Sequence, residues 1–348
     1  IAQYLGERFA NKPAAAMGLL AFGKYYFDKK DEPMYMSVYD TYLKSFPKHE
    51  KAAAVLFMLA GLKKTAGDQA GATAFFQRIV DQYPNDQYYT KALSQLAWSS
   101  FASSNYEMAV KGFGVFVKEA QPSPEKAQAQ ISMADSYRLL GKFKEALAEY
   151  EVVIQWLAPK NNPYATSAAD AQKNAALLER SVFQRGDCLS RMKDPPESVP
   201  DYRARAIKAF DQFVALFPQA DMASKAMSQK GTIQLELGQF DVAAKTFDEL
   251  AQKYPASDDG KNALFSLARS AIEIKQYDQA KSAFEKMLKG GGTYSSDEFA
   301  RLGQMMLDAG LYAEAIQAFQ RVAGTTGERN LLERSLFGLG KSYYELKN

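Results

Sequence analysis

Apolar residues fall at steps of three and four through almost the whole chain, as in Ala243, Phe247 and Leu250. That spacing puts them on one face of a helix and predicts amphipathic helices throughout. The helices come in pairs. Lys225 to Leu237 predicts a first helix, and Gly238-Gln239-Phe240 predicts a turn, because glycine ends a helix at little cost and a buried aromatic anchors the turn. A second helix is expected up to Tyr254-Pro255, since the residue before a proline avoids the helical region.

The pair is repeated. Small residues recur at Gly23, Ala60, Ala97, Ala134, Gly186, Gly231, Ala268, Gly303 and Gly340, at intervals of 37, 37, 37, 52, 45, 37, 35 and 37. A fixed period of this length is the mark of a stacked repeat array. Behind each small residue stands the same frame: Gly141, Phe143, Ala146, Tyr150 and Val153 in one unit, Gly310, Tyr312, Ala315, Phe319 and Val322 in another. Ala72/Phe76/Ile79, Ala109/Phe113/Phe116 and Ala280/Phe284/Met287 repeat it. The first unit is degenerate, with Tyr35 in place of the second-helix alanine.

The order small residue, aromatic, Gly-x-aromatic, Ala, aromatic, Pro resembles the tetratricopeptide repeat over nearly the whole chain. The resemblance implies an all-α, right-handed superhelical solenoid of helix–turn–helix units in which each small residue lets two backbones approach and each large one fills the facing groove. One array over 1–348 is expected, with about eight repeats and partial units at both ends. Residues 1 to 10 read as the second helix of a preceding unit closing at Pro13, and Leu332 to Asn348 as the first helix of another. The chain therefore reads as a fragment of a longer one. Within a unit, small residue and proline are 24 apart, as in Gly231 and Pro255, so three extra residues lie between units after each aromatic-Pro pair. This is similar to bacterial envelope proteins of the BamD and Tol-Pal coordinator type. It implies a periplasmic or outer-membrane-associated location, a cytoplasmic one being the alternative.

Two long intervals bracket one unit. A first helix from about Ala165 to Lys193, about 43 Å long, is expected there. Insertions at 159–200, the second an extra segment ending at Pro200, interrupt the array. They build either a binding face or a tolerated surface loop. Arg185 and Lys230 fill the slot before the small residue, where other units carry residues such as Leu59, Leu96 and Leu267. A buried charge must be paired. They hold an acidic partner, or Glu197 or Asp201 of the insertion, or else snorkel past a thinner core.

Composition narrows the function. With 43 basic and 40 acidic residues well mixed, the net charge is +3 and no basic stripe marks a nucleic-acid partner. No apolar run reaches the roughly 18 residues of a membrane span. The single histidine, His49, reads as a solvated loop residue, and one histidine with one cysteine, Cys188, cannot build a zinc cluster. Gly290-Gly291-Gly292 lacks the Gly-Lys-Ser/Thr ending of a phosphate loop. Neither catalysis, cofactor nor metal is expected. Nor does asparagine follow any small residue, so the clamp that related repeats use for chaperone C-termini is not expected.

A non-catalytic protein-interaction scaffold remains, with a cytoplasmic peptide-sensing regulator or the non-catalytic arm of a larger enzyme as alternatives. In such repeats the residues three before and four after the small one face inward. Those slots hold Phe57, Phe101, Ile131, Phe183, Leu235, Phe265, Ile272, Leu307 and Phe337. They either pack between neighbouring helices or form an apolar groove for a protein or peptide partner.

Overall fold

The structure, a computed structural model, describes residues 1–10, 12–158, 167–193, 195–290 and 292–347. Its contacts group the chain into two compact units, Ile1–Lys142 and Phe143–Asn348, and the boundary falls in the turn of the Ala134 repeat. The first holds α1 (Ala2–Arg8), α2 (Pro13–Asp28), α3 (Glu32–Ser45), α4 (Ala52–Thr65), α5 (Gln69–Gln82), α6 (Tyr89–Ala102), α7 (Tyr106–Glu119) and α8 (Pro124–Leu139). The second holds α9 (Phe143–Leu157), α10 (Ala168–Arg191), α11 (Val199–Leu216), α12 (Ala223–Glu236) and α13 (Phe240–Lys253). It continues with α14 (Asp258–Glu273), α15 (Tyr277–Lys289), α16 (Ser296–Asp308), α17 (Tyr312–Thr325) and α18 (Arg329–Glu345). The even-numbered helices are the first, or A, helices of the repeats, and the odd-numbered are the second, or B, helices. Within each unit the A and B helices of a repeat pack on each other, α2 on α3, α4 on α5, α6 on α7, α10 on α11, α12 on α13, α14 on α15 and α16 on α17, and most B helices also pack on the next A helix.

The small residues do what their size permits. A Cβ added to Gly23 would stand 2.4 Å from the Tyr39 ring, and one on Gly231 would stand 2.6 Å from the Phe247 ring. Each of these aromatics comes 16 positions after its small residue and packs against the A helix that carries that residue. Phe319 has two such seats: its ring is 3.0 Å from a Cβ built on Gly303 of α16 and 2.5 Å from one on Gly338 of α18. Burial follows the same frame, with Tyr42, Phe113, Phe247 and Phe284 almost wholly enclosed.

Turns within the repeats share a feature that glycine alone did not reveal. Seven residues after the small one, φ is positive at Lys30, Gly67, Ser104, Gly141, Gly238, Lys275, Gly310 and Lys347. Around Lys275 the C-terminus of α14 closes as a Schellman motif: Lys275 N–H donates to Ile272 C=O at 2.9 Å and Gln276 N–H to Ala271 C=O at 2.8 Å. In the first unit the next residue caps the B helix. Asp31, Asp68 and Asn105 side chains accept the backbone N–H groups of Met34, Gly71 and Met108.

The aromatic-Pro pairs tie repeat to repeat. Tyr83 Oη donates to the carbonyl of Pro47 at 2.6 Å, and Tyr254 Oη to that of Pro218 at 2.8 Å. The three extra residues fold into a double turn: Asp86 N–H bonds Tyr83 C=O, and Tyr89 N–H bonds Asp86 C=O.

Three boundaries differ from expectation. Pro13 opens α2 at its first turn, where its missing N–H is harmless, instead of closing α1, which already ends at Phe9. The last helix is shifted to Arg329–Glu345. The long helix α10 runs over 24 residues, about 36 Å, from the Ser167 cap to Arg191; it starts later and ends earlier than Ala165 and Lys193. Residues 159–166 and Asp194 lie outside the described residues, so the first insertion is not described. The second is a short 3-10 turn, Pro196–Ser198, and Pro200 already belongs to α11, whose 18 residues absorb the rest.

Candidate functional site

The inward slots separate by burial. In the first unit Ile131 is fully enclosed in α8. Phe57 is half-buried, edge-on to Phe76 at 5.6 Å and tilted against Tyr88 at 5.0 Å. Phe101 is half-buried too, against Tyr106 and Phe113 at 5.9 and 6.4 Å. In the second unit Phe183 is 5% exposed and fits between Phe210 and Phe213 of α11. Ile272 and Leu307 are sealed in the core. Leu235 and Phe265 are half-buried at its margin. Phe337, on α18, is 77% exposed. Ile131, Phe183, Ile272 and Leu307 are thus packing residues; Phe57, Phe101, Leu235, Phe265 and Phe337 keep surface that a partner could touch.

A cleft of about 490 Å³ opens in the first unit between α4, α5 and α6. Its apolar wall is Phe76 and Trp98, whose indole stands edge-on to Phe113 at 4.8 Å. Its rim is polar: Lys64 Nζ donates to Gln95 Oε1 at 2.7 Å, joining two A helices, and the Thr73 and Ser99 hydroxyls lie 3.3 Å apart. Trp98 was not among the expected groove residues. The signal that could have found it is its place directly after Ala97 on an A helix, as one of two tryptophans in the chain. A smaller cleft in the second unit, about 270 Å³, is bounded by Glu179, Arg180, Phe183, Gln184, Phe213 and Met222.

Among the described residues, Arg185 and Lys230 do not reach the insertion. Both turn to consecutive residues of α11, the helix packed against α10 and α12. Lys230 Nζ lies 2.6 Å from Asp211 Oδ1, and Arg185 Nη2 donates to Gln212 Oε1 at 2.6 Å. Glu197 and Asp201 are not their partners, because the insertion forms the 3-10 turn and the first turn of α11, two turns and more away from Asp211.

His49 is less solvated than a free loop residue. Its Nδ1 accepts the backbone N–H of Lys51 at 3.2 Å and lies 2.9 Å from the buried Tyr42 hydroxyl. Because a backbone N–H only donates, Nδ1 is unprotonated, the Tyr42 O–H donates to it, and the ring carries its proton on Nε2. Burial, reinforced by Tyr83 and Glu50, raises the Tyr42 pKa and keeps that hydroxyl a donor. Among the described residues no helix is long and apolar enough to cross a membrane.

The paired-helix geometry has counterparts among known proteins. A family model for the tetratricopeptide repeat matches residues 203–258, 228–298 and 265–329, and a second model for the same repeat matches 54–86. The C-terminal part of a TPR repeat-containing protein from Cytophaga hutchinsonii has a similar fold: TM-score 0.53, 13% identity, over 80% of this chain and 98% of that one. RapI in its apo form is similar at TM-score 0.51 and 13% identity, over 95% of this chain and 97% of that one. No curated protein sequence matches the chain. The chain carries tetratricopeptide repeats in an all-α solenoid fold, and such repeats point to a protein-interaction scaffold with protein partners.

Proposed function

We propose that the chain is a non-catalytic scaffold that holds a helix or extended peptide of a partner against its A-helix faces, within a complex of the bacterial cell envelope. The reading is carried by the half-buried aromatic residues on those faces, Phe57 and Phe101 in the first unit and Phe265 in the second. Each rests partly on its own repeat and offers the remaining surface to a ligand, the arrangement of an interface anchor. The envelope part of the reading rests on the aromatic-Pro links and their three extra residues, which resemble those of proteins of the BamD and Tol-Pal coordinator type. Support for a non-catalytic role comes from how charge is used: Lys24–Asp28, Arg301–Asp297 and Arg329–Glu333 are solvated pairs one helical turn apart.

The test is site-specific photo-crosslinking in the native organism, with the probe at position 101, at 265, and at Lys286 on a B helix as the control. Adducts with an envelope protein at 101 and 265, but not at 286, are the expected result. Adducts with cytosolic proteins only would refute the location and favour the peptide-sensing alternative. Equal labelling at all three positions would refute the groove.

A further inference from the structure

A second binding feature lies where the A helix α10 meets the B helices α9 and α11, apart from the exposed aromatic residues. Five residues carry it: Arg185 on α10, Arg205, Lys208 and Gln212 on α11, and Glu151 on α9, around an open cleft of about 200 Å³. At the Arg185 slot other A helices bury hydrocarbon, with Leu59 1%, Leu267 2% and Leu302 0% exposed. Here a guanidinium has been placed instead. Among the described residues its one hydrogen-bonding partner is the neutral Gln212 amide, and its Nε is shielded from solvent without any acceptor. Among those residues, too, no carboxylate lies within 4.0 Å of it. Lys230, in the matching slot of the next repeat, is neutralised by Asp211. Burial lowers the Arg185 pKa, Glu151 opposes that and Arg205 adds to it: this charge is poorly solvated and lies near another of the same sign.

Among the described residues that line the cleft, three cations face one carboxylate, Glu151. Arg205 has Asp201 at 3.8 Å, but both side chains are solvated, and such a contact neutralises little. Arg205, Lys208 and Gln212 follow one another at steps of three and four, so they form a row along one face of α11, with the two cations about 4.5 Å apart along the axis. A row open to solvent suits successive carboxylates of a chain, whereas a single small oxyanion needs donors converging from all sides. Guanidinium groups bind carboxylates in bidentate fashion, which adds geometry to charge.

We infer that this cleft is a docking site for an acidic segment, a run of Glu or Asp, of a protein partner. The inference rests on the scaffold reading and names the chemistry of a contact separate from the aromatic slots.

The experiment uses the full chain, a fluorescein-labelled octaglutamate peptide and fluorescence anisotropy at low salt, with an octaglutamine peptide as the neutral control. Octaglutamate is expected to bind and octaglutamine not to. Arg205→Gln with Lys208→Gln, both at exposed positions, should weaken octaglutamate at least tenfold while the circular-dichroism melt stays unchanged. Glu151→Gln should tighten it, since the competing carboxylate is removed. Phe101→Ser and Phe265→Ser should leave it untouched, so a failure here is separable from a failure of the aromatic groove. Absence of octaglutamate binding, or unaltered binding in the double variant, overturns the inference. So does displacement of the peptide by inorganic phosphate at concentrations where sodium chloride of equal ionic strength has no effect; that outcome assigns the cleft to a small oxyanion.

Discussion

Exchanging the residues at two equivalent turn positions isolates the backbone contribution to repeat stability. Lys275 and Gly238 both stand seven residues after the small residue of their repeats, with φ of 59° and 69°, and both are exposed. A side chain in the left-handed region costs about 1–2 kcal/mol from the clash of Cβ with the backbone. Glycine avoids that cost but loses about 0.5–1 kcal/mol more chain entropy on folding. Lys275→Gly should therefore stabilise the second unit by about 0.5–1 kcal/mol, and Gly238→Lys should destabilise it by a similar amount. Nothing lies within 4 Å of a Cβ built on Gly238, so the loss there would be conformational and not steric. The assay is urea denaturation followed at 222 nm with a parallel thermal melt; for a unit of this size about 1 kcal/mol moves Tm by about 2–4 °C. Amide exchange should place the change at the α14–α15 and α12–α13 turns. A destabilised Lys275→Gly, or a neutral Gly238→Lys, would refute the reasoning.

Three further contacts have measurable consequences. His49→Ala should cost about 1–3 kcal/mol by leaving the buried Tyr42 hydroxyl without an acceptor, and adding Tyr42→Phe should recover most of it; additive losses in chemical denaturation would refute the pairing. Gly231→Ala should destabilise because the new Cβ meets the Phe247 ring at 2.6 Å, while Gly340→Ala, with open space around it, should stabilise by about 1 kcal/mol through helix propensity. Equal signs in paired thermal melts would contradict the seat described for the aromatic. Burial, with Glu298, pushes the Tyr294 pKa up to about 12 from the ordinary tyrosine value of 10.0. A group whose folded pKa is raised contributes stability below its unfolded pKa and loses it as pH rises through the folded one, so stability should fall between pH 10 and 12. Tyr294→Phe should flatten that alkaline slope in a pH series of melts; an unchanged slope would count against the assignment.

Much of this architecture was legible because it is local and periodic. Gly231 and Phe247 announce their contact through a fixed offset of 16, and Tyr254-Pro255 marks the link between repeats. The left-handed position was visible where glycine occupies it and hidden at Lys30, Ser104 and Lys275, since the surrounding Schellman bonds impose the conformation on residues that do not prefer it. The candidate groove was less legible. Spacing gives a slot its direction but not what stands opposite: Phe183 faces two rings of a lengthened α11 and vanishes into the core, while Phe337 stays in the open. The partners of Arg185 and Lys230 depend on which residues of α11 point each way once the insertion has lengthened that helix, and no local pattern encodes that.

Phe319, held between Gly303 and Gly338, bears on how the second unit comes apart. One ring fills two seats, one on its own A helix and one on the next, so opening α18 removes one of the two seats of a side chain belonging to its neighbour. In an Ising description of such an array, this moves energy out of the single repeat and into the coupling between repeats. A boundary between folded and unfolded stretches is then disfavoured at this point. Fraying from the end should advance in steps of two helices or more, and α16 to α18 should exchange their amide protons as one block.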